Sequence, residues 1–172
     1  MRRRLALAAG VAATAAAAGA GSAWWHSRST APTAADDLWP LHFDTPQGGR
    51  IELAGLRGKP LLLNFWATWC PPCVREMPLL DRFQREQRGR GWQVLGLAID
   101  DRGPVLEFLT RRPVGYPIGL AGVDGVGLAR KLGNTEGALP FTVIFDRDGA
   151  SVERKLGAIQ PEDFARWVTA IG

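Results

Sequence analysis

Beyond the first forty residues, two short apolar runs without alternation, residues 60–66 and 92–99, stand out in a sequence of otherwise mixed polarity. Runs of this length with no polar face predict strands buried on both sides of a sheet, and only Asn64 interrupts the first. Between them Val74, Met77, Leu80 and Phe83 recur every third residue, while Arg75, Glu76, Asp81, Arg82 and Arg85 occupy other positions. That spacing predicts an amphipathic helix with Pro78 inside it. Upstream, residues 41–44 and 50–53 flank Pro46-Gln47-Gly48-Gly49, the pattern of a short hairpin. Downstream, helices are expected over about 104–111 and over 123–132, the second ending at Gly133. Residues 141–145 and 152–156 then read as strands joined by Asp146-Arg147-Asp148-Gly149, and a last helix covers about 161–171. Strand, helix, strand, helix, hairpin and closing helix make an α/β domain, a central mixed β-sheet flanked by helices, with an N-terminal β-hairpin extension.

The first residues have a different pattern. Arg2, Arg3 and Arg4 precede an alanine-rich apolar stretch from Leu5 to about Trp25 that carries no charge, the layout of an export signal. Small residues at Ala18-Gly19-Ala20 and Gly21-Ser22-Ala23 suit cleavage. A length of about 20 apolar residues, with Trp24 and Trp25 at its end, suits retention as an anchor. Both fates stay open, and both export the remainder of the chain, because the basic residues hold the N-terminus in the cytoplasm. The expected organisation is therefore a signal peptide or signal anchor over 1–26, a small and polar linker over 27–38, and one domain over 39–172. The domain is placed in the periplasm or on the extracytoplasmic face of the cell membrane, touching the membrane only through the anchor, where that is retained.

Composition narrows the function classes. With 46% hydrophobic and 22% charged residues, neither a disordered chain nor a multi-span membrane protein is indicated. Removing the three arginines at 2–4 from the formal net charge of +4 leaves +1, too little for a phosphate-binding face, so no nucleic-acid partner is expected. Gly125 and Gly127 lack the third glycine of a dinucleotide loop, since Arg130 takes its place. Arg82, Arg85, Arg88 and Arg90 read as a solvated helix face and loop.

The two cysteines of the chain lie in Trp69-Cys70-Pro71-Pro72-Cys73, just after a buried strand and at the start of the amphipathic helix. Two intervening residues let the sulfurs meet within one helical turn, so a mixed disulfide can be resolved internally. The unpaired N–H groups and positive dipole end of a first helical turn favour a thiolate. Cys70, expected at an exposed tip, is the attacking sulfur and Cys73 the resolving one. Pro71 and Pro72 tolerate early helical positions and stiffen the dithiol. Trp66 and Trp69 are expected to pack beside it and exclude water. A structural zinc site would need four ligands, and only His26 and His42 accompany the cysteines, so no metal and no cofactor is expected.

The segment Asn64-Phe65-Trp66-Ala67-Thr68-Trp69-Cys70-Pro71-Pro72-Cys73, continuing as Arg75-Glu76-Met77-Pro78, resembles the exported thioredoxin-like thiol-disulfide oxidoreductases of the TlpA and ResA type. The resemblance runs from about Leu41 to the C-terminus. It implies a thioredoxin-like fold with a cis Pro140 facing the dithiol and with the backbone of Leu139 pairing with a peptide client. Thioredoxin carries a buried aspartate where this chain has Asn64, which cannot accept a proton. The resemblance offers Asp101, on the next loop, as the acceptor. The residues alone read equally well as helix caps, Asp100 and Asp101 standing just ahead of Pro104. Implied partners are disulfide-bearing exported proteins, such as clients of cytochrome c or copper-site maturation, and a membrane thiol donor of electrons. Two alternatives share the fold: an oxidant that inserts disulfides, and a copper-site metallochaperone. The second usually pairs C-x-x-x-C with a distant histidine, and no histidine follows His42. A peroxidase would need Thr-x-x-Cys, whereas Thr68 is only two residues before Cys70.

Overall fold

The computed structural model describes residues 37–171. The expected export segment and nearly all of the linker lie outside the described residues. The strands are β1 (His42–Asp44), β2 (Arg50–Glu52), β3 (Leu61–Trp66), β4 (Gln93–Ala98), β5 (Ile118–Leu120), β6 (Phe141–Phe145) and β7 (Ser151–Leu156). They form one mixed sheet in the order β2-β1-β5-β4-β3-β6-β7. Strands β3, β4 and β5 run parallel, β6 lies antiparallel to β3, and β7 to β6. The helices are α1 (Pro71–Gln87), α2 (Arg102–Arg111), α3 (Asp124–Lys131) and α4 (Pro161–Ile171).

Period-two alternation divides the core between the two faces of the sheet. From β3, Leu62 and Trp66 enter a cluster with Met77 and Leu80 of α1, Val105 of α2 and Trp167 of α4. Leu61, Leu63 and Phe65 enter the other, with Leu38, Trp39 and Leu53 and with Ala129 of α3. Every residue of β3 is buried, Asn64 included, as a run interrupted only there predicts. Asn64 shares the α1 face with Leu62 and Trp66, which decides its role below. Pro78 lies inside α1 on the exposed side, and the helix continues to Gln87. Helix α2 begins at Arg102, two residues ahead of Pro104.

Strand β5 has no counterpart in the sequence reading. Three residues with a glycine in the middle carry no periodicity, and the strand exists because β4 and β1 pair with it from either side. Its glycine is required there. A Cβ on Gly119 would lie 2.8 Å from the Phe43 Cβ and 2.9 Å from Leu97 Cδ2. Gly119→Ala is expected to push the β1–β2 hairpin off the sheet and destabilise the fold by about 1–3 kcal/mol, the usual range for overpacking. Urea unfolding of the oxidised chain checks this; a midpoint equal to wild type would mean that the hairpin yields freely.

Candidate active site

The three parallel strands end at a common level. The Ile99 N–H donates to the Trp66 carbonyl at 2.8 Å, and the Ala121 N–H to the Ala98 carbonyl at 2.9 Å. From β3 the chain turns through Ala67 to Cys70, closed by the Cys70 N–H on the Ala67 carbonyl at 3.2 Å, and enters α1. Cys70 is the N-cap of that helix in extended backbone, and it forms a disulfide with Cys73 across a Cα–Cα distance of 5.3 Å.

The identity of the middle residues sets how the Cys70 sulfur is stabilised. An N-cap side chain accepts from the second or third backbone N–H of its helix. Here the first and second helical residues are Pro71 and Pro72, which have none, so the Cys73 N–H is the remaining donor; it reaches Cys70 Sγ at 3.3 Å. Pro72→Ala restores a second donor. It is expected to lower the thiolate pKa of reduced Cys70 by about one unit and to move the couple in the oxidising direction. Thiolate absorbance against pH measures the first effect, and an unshifted titration would show that the added amide does not reach the sulfur.

Two expectations about exposure are corrected. Cys70 is not an exposed tip: in the disulfide form it is 4% exposed, against 0% for Cys73, so it is the outer sulfur by a narrow margin. Trp66 is buried in the cluster that holds both cysteines, but Trp69 is 66% exposed and does not join that cluster. The turn explains the difference, since Trp69 is its third residue and projects from the corner, whereas Trp66 still belongs to β3. On the other side of β3, the Leu139–Pro140 peptide is cis. Pro140 is buried just ahead of β6, and Leu139 packs against the cluster containing the cysteines.

The buried acid of the site is Glu76, which the sequence pattern leaves among the polar positions of α1. It follows Cys73 by three residues, which places both on one face of the helix, and only 2% of it is exposed. Asn64 Nδ2 donates to Glu76 Oε1 at 2.7 Å and to Thr142 Oγ1 at 3.1 Å, and the Ile159 N–H donates to Glu76 Oε2 at 2.8 Å. Burial pushes the Glu76 carboxyl up, while the Ile159 and Asn64 hydrogen bonds and the charge of Lys155 pull it down. The balance leaves it raised to about 7. Tyr116 is pushed upward too, by its own burial and then by the charges of Glu76 and Asp81. Asn64 therefore carries no acid itself but holds one in place.

Asp101, the acceptor that the resemblance offers, is not a buried acid. It is exposed at the N-cap position of α2 and makes no capping hydrogen bond with its side chain. Its neighbour Asp100 is half-buried and accepts from Thr68 through both the backbone N–H and the hydroxyl. A signal for Glu76 is present in the sequence: Cys73, Glu76, Met77, Leu80 and Phe83 form the buried stripe of α1, so the glutamate sits at an apolar position.

With a dithiol at a helix start, a cis proline across β3 and a buried carboxyl beneath, the sequence matches the Redoxin family over residues 27–171. The chain belongs to that family. Within it this redoxin is of the TlpA/ResA type: thiol-disulfide oxidoreductase ResA of Bacillus cereus is 30% identical over 127 residues, which are 73% of this chain and 70% of the relative. The ResA of Halalkalibacterium halodurans is 32% identical over 118 residues, 66% of this chain and 62% of the relative. Among solved structures, a thioredoxin family thiol:disulfide interchange protein from Chlorobium tepidum superposes with a TM-score of 0.65 at 27% identity, covering 76% of this chain and 92% of that one. A secreted disulfide oxidoreductase of Mycobacterium tuberculosis homologous to Escherichia coli DsbE gives 0.63 at 26%, covering 78% and 98%. This redoxin has the thioredoxin-like fold and is a thiol-disulfide oxidoreductase.

Proposed function

We propose that this redoxin is exported and reduces disulfides in cell-envelope proteins, with Cys70 as the attacking and Cys73 as the resolving sulfur. The observation that carries the assignment of roles is the position of Cys70: it is the outer sulfur, at the N-cap, and its Sγ receives the helix amide of Cys73. Export rests on the basic and apolar N-terminal segment and on the secreted relative from M. tuberculosis. A protein client is supported by the apolar surface at the dithiol edge of the sheet. Trp69 follows β3, Val123 follows β5 and is 84% exposed, and Leu156 pairs with Phe141 beside the cis Pro140.

In the reducing direction the Cys70 thiolate attacks one sulfur of a client disulfide, forming a Cys70–client bond and releasing the other client sulfur as a thiolate that takes up a proton. Cys73 then gives its proton to Glu76 and attacks Cys70 Sγ, which expels the second client sulfur and closes the Cys70–Cys73 disulfide. Two electrons pass to the client. A carboxyl with a proton affinity near neutrality suits that transfer, because it can both take the proton and release it. A membrane thiol donor then returns the pair to the dithiol. Envelope proteins of cytochrome c or copper-site maturation are the clients that this reading favours.

The deciding measurement is the reduction potential of the Cys70–Cys73 couple in the full chain, equilibrated in dithiothreitol and glutathione buffers. A value near that of thioredoxin, about −270 mV, is expected for a reductase, while one near −120 mV would recast the protein as a disulfide-inserting oxidant.

A further inference from the structure

We infer that Asp100 is the positioning residue of the dithiol, holding the turn from which Cys70 enters α1. This rests on the reading of Cys70 as the attacking sulfur. Asp100 Oδ2 accepts from the Thr68 N–H at 3.1 Å and from Thr68 Oγ1 at 2.5 Å, while Oδ1 accepts from the Asp101 N–H at 3.0 Å. Both carboxylate oxygens are thus committed, and neither caps α2. Two hydrogen bonds from one residue to a single oxygen fix Thr68 in both direction and distance.

The two partners differ in how they are held. Asp100 stands two residues beyond β4, whose end is fixed to β3 by the Ile99 N–H on the Trp66 carbonyl. Thr68 is the second residue of the Ala67–Cys70 turn, and the bond that closes this turn, from the Cys70 N–H to the Ala67 carbonyl, is internal to it. Asp100 therefore ties the turn to the sheet. What the tie protects is the approach of Cys70 Sγ to the Cys73 N–H. At 3.3 Å, with Pro71 and Pro72 providing no second donor, that contact has nothing to replace it if the turn drifts.

The test compares D100A, D100N and T68V in the full chain. Asparagine keeps an oxygen that accepts from Thr68, alanine keeps none, and T68V loses the hydroxyl while retaining the backbone N–H. In D100A the thiolate titration of Cys70 is expected to rise by about one unit and its rate with a small aromatic disulfide at neutral pH to fall about tenfold. D100N should stay within about threefold of wild type and T68V should fall between them. Thermal melts of the oxidised forms identify any variant that fails to fold, in which case T68V alone carries the comparison. The proposal is overturned if D100A, or T68V in its place, leaves both titration and rate unchanged. It is also overturned if D100N is as impaired as D100A, since charge rather than position would then be at work. A wild-type chain that exchanges no disulfide would instead remove the functional reading.

Discussion

Serine at position 73 is expected to halt turnover after a single exchange, leaving the client bound to Cys70. Resolution by Cys73 is intramolecular: its sulfur follows Cys70 by three residues on the same helix, at a Cα–Cα distance of 5.3 Å. Well-oriented intramolecular reactions reach effective concentrations far above any free thiol, so with roughly millimolar external thiol the resolving step slows on the order of a thousandfold or more. The first exchange is preserved, because the Cys73 backbone N–H that serves Cys70 Sγ survives the change. Non-reducing electrophoresis and mass spectrometry of Cys73→Ser with a disulfide-bearing protein should show a one-to-one adduct at Cys70, absent from Cys70→Ser. Normal turnover by Cys73→Ser would end the assignment of Cys73 as the resolving sulfur.

Glutamine in place of Glu76 should slow the resolving step by about a hundredfold, the lower end of what a positioned base contributes. It should also erase a pH dependence. With Glu76 raised to about 7, the carboxylate that can take the Cys73 proton becomes available as pH climbs through 7, so the wild-type rate bends there, while the variant loses that inflection and rises only with the ionisation of the Cys73 thiol itself. The same shift acts on stability with a definite sign. Between its ordinary value of 4.5 and about 7, the folded chain keeps a proton that the unfolded chain has lost. Stability is therefore greatest below pH 4.5 on this account and declines as pH rises to about 7, by roughly 3 kcal/mol. Urea unfolding of the oxidised wild type and of Glu76→Gln from pH 4 to pH 8 measures it as the difference between the two profiles, which removes the opposite contributions of Glu153 and Asp163, and parallel profiles would mean that the buried carboxyl is not perturbed.

The parts of the fold legible from residues alone are those whose polarity pattern reflects what they pack against. Strands β3 and β4 are covered on both faces and read as apolar runs without alternation, and α1 is covered on one face and reads with helical spacing. The Gly-rich and Asp-rich turns announce the two hairpins through backbone chemistry. Strand β5 is illegible because its existence depends on neighbours that its own three residues do not specify. In the site, the cysteines are evident from spacing, whereas the acid shows only in the helical register it shares with Cys73 and Leu80, which does not mark it as the acceptor. Glu76 and Asp101 are both carboxylates beside charged residues in sequence. What separates them is that Asn64 and the Ile159 amide, 12 and 83 residues away along the chain, converge on the first. The exposure of Trp69 escapes for a related reason: hydrophobicity does not tell on which side of a turn a ring emerges.

Pro72 has a consequence for chemical survival. Peroxides attack thiolates rather than thiols, and oxidation beyond the sulfenic acid is essentially irreversible. By denying Cys70 a second amide, the proline keeps less of the waiting sulfur in the vulnerable form than a dipeptide with both donors would. When a sulfenic acid does form on Cys70, Cys73 is placed to condense with it, and the product is the same disulfide that ordinary turnover leaves behind. Any donor that reduces the Cys70–Cys73 disulfide then also undoes the damage, with no separate repair enzyme.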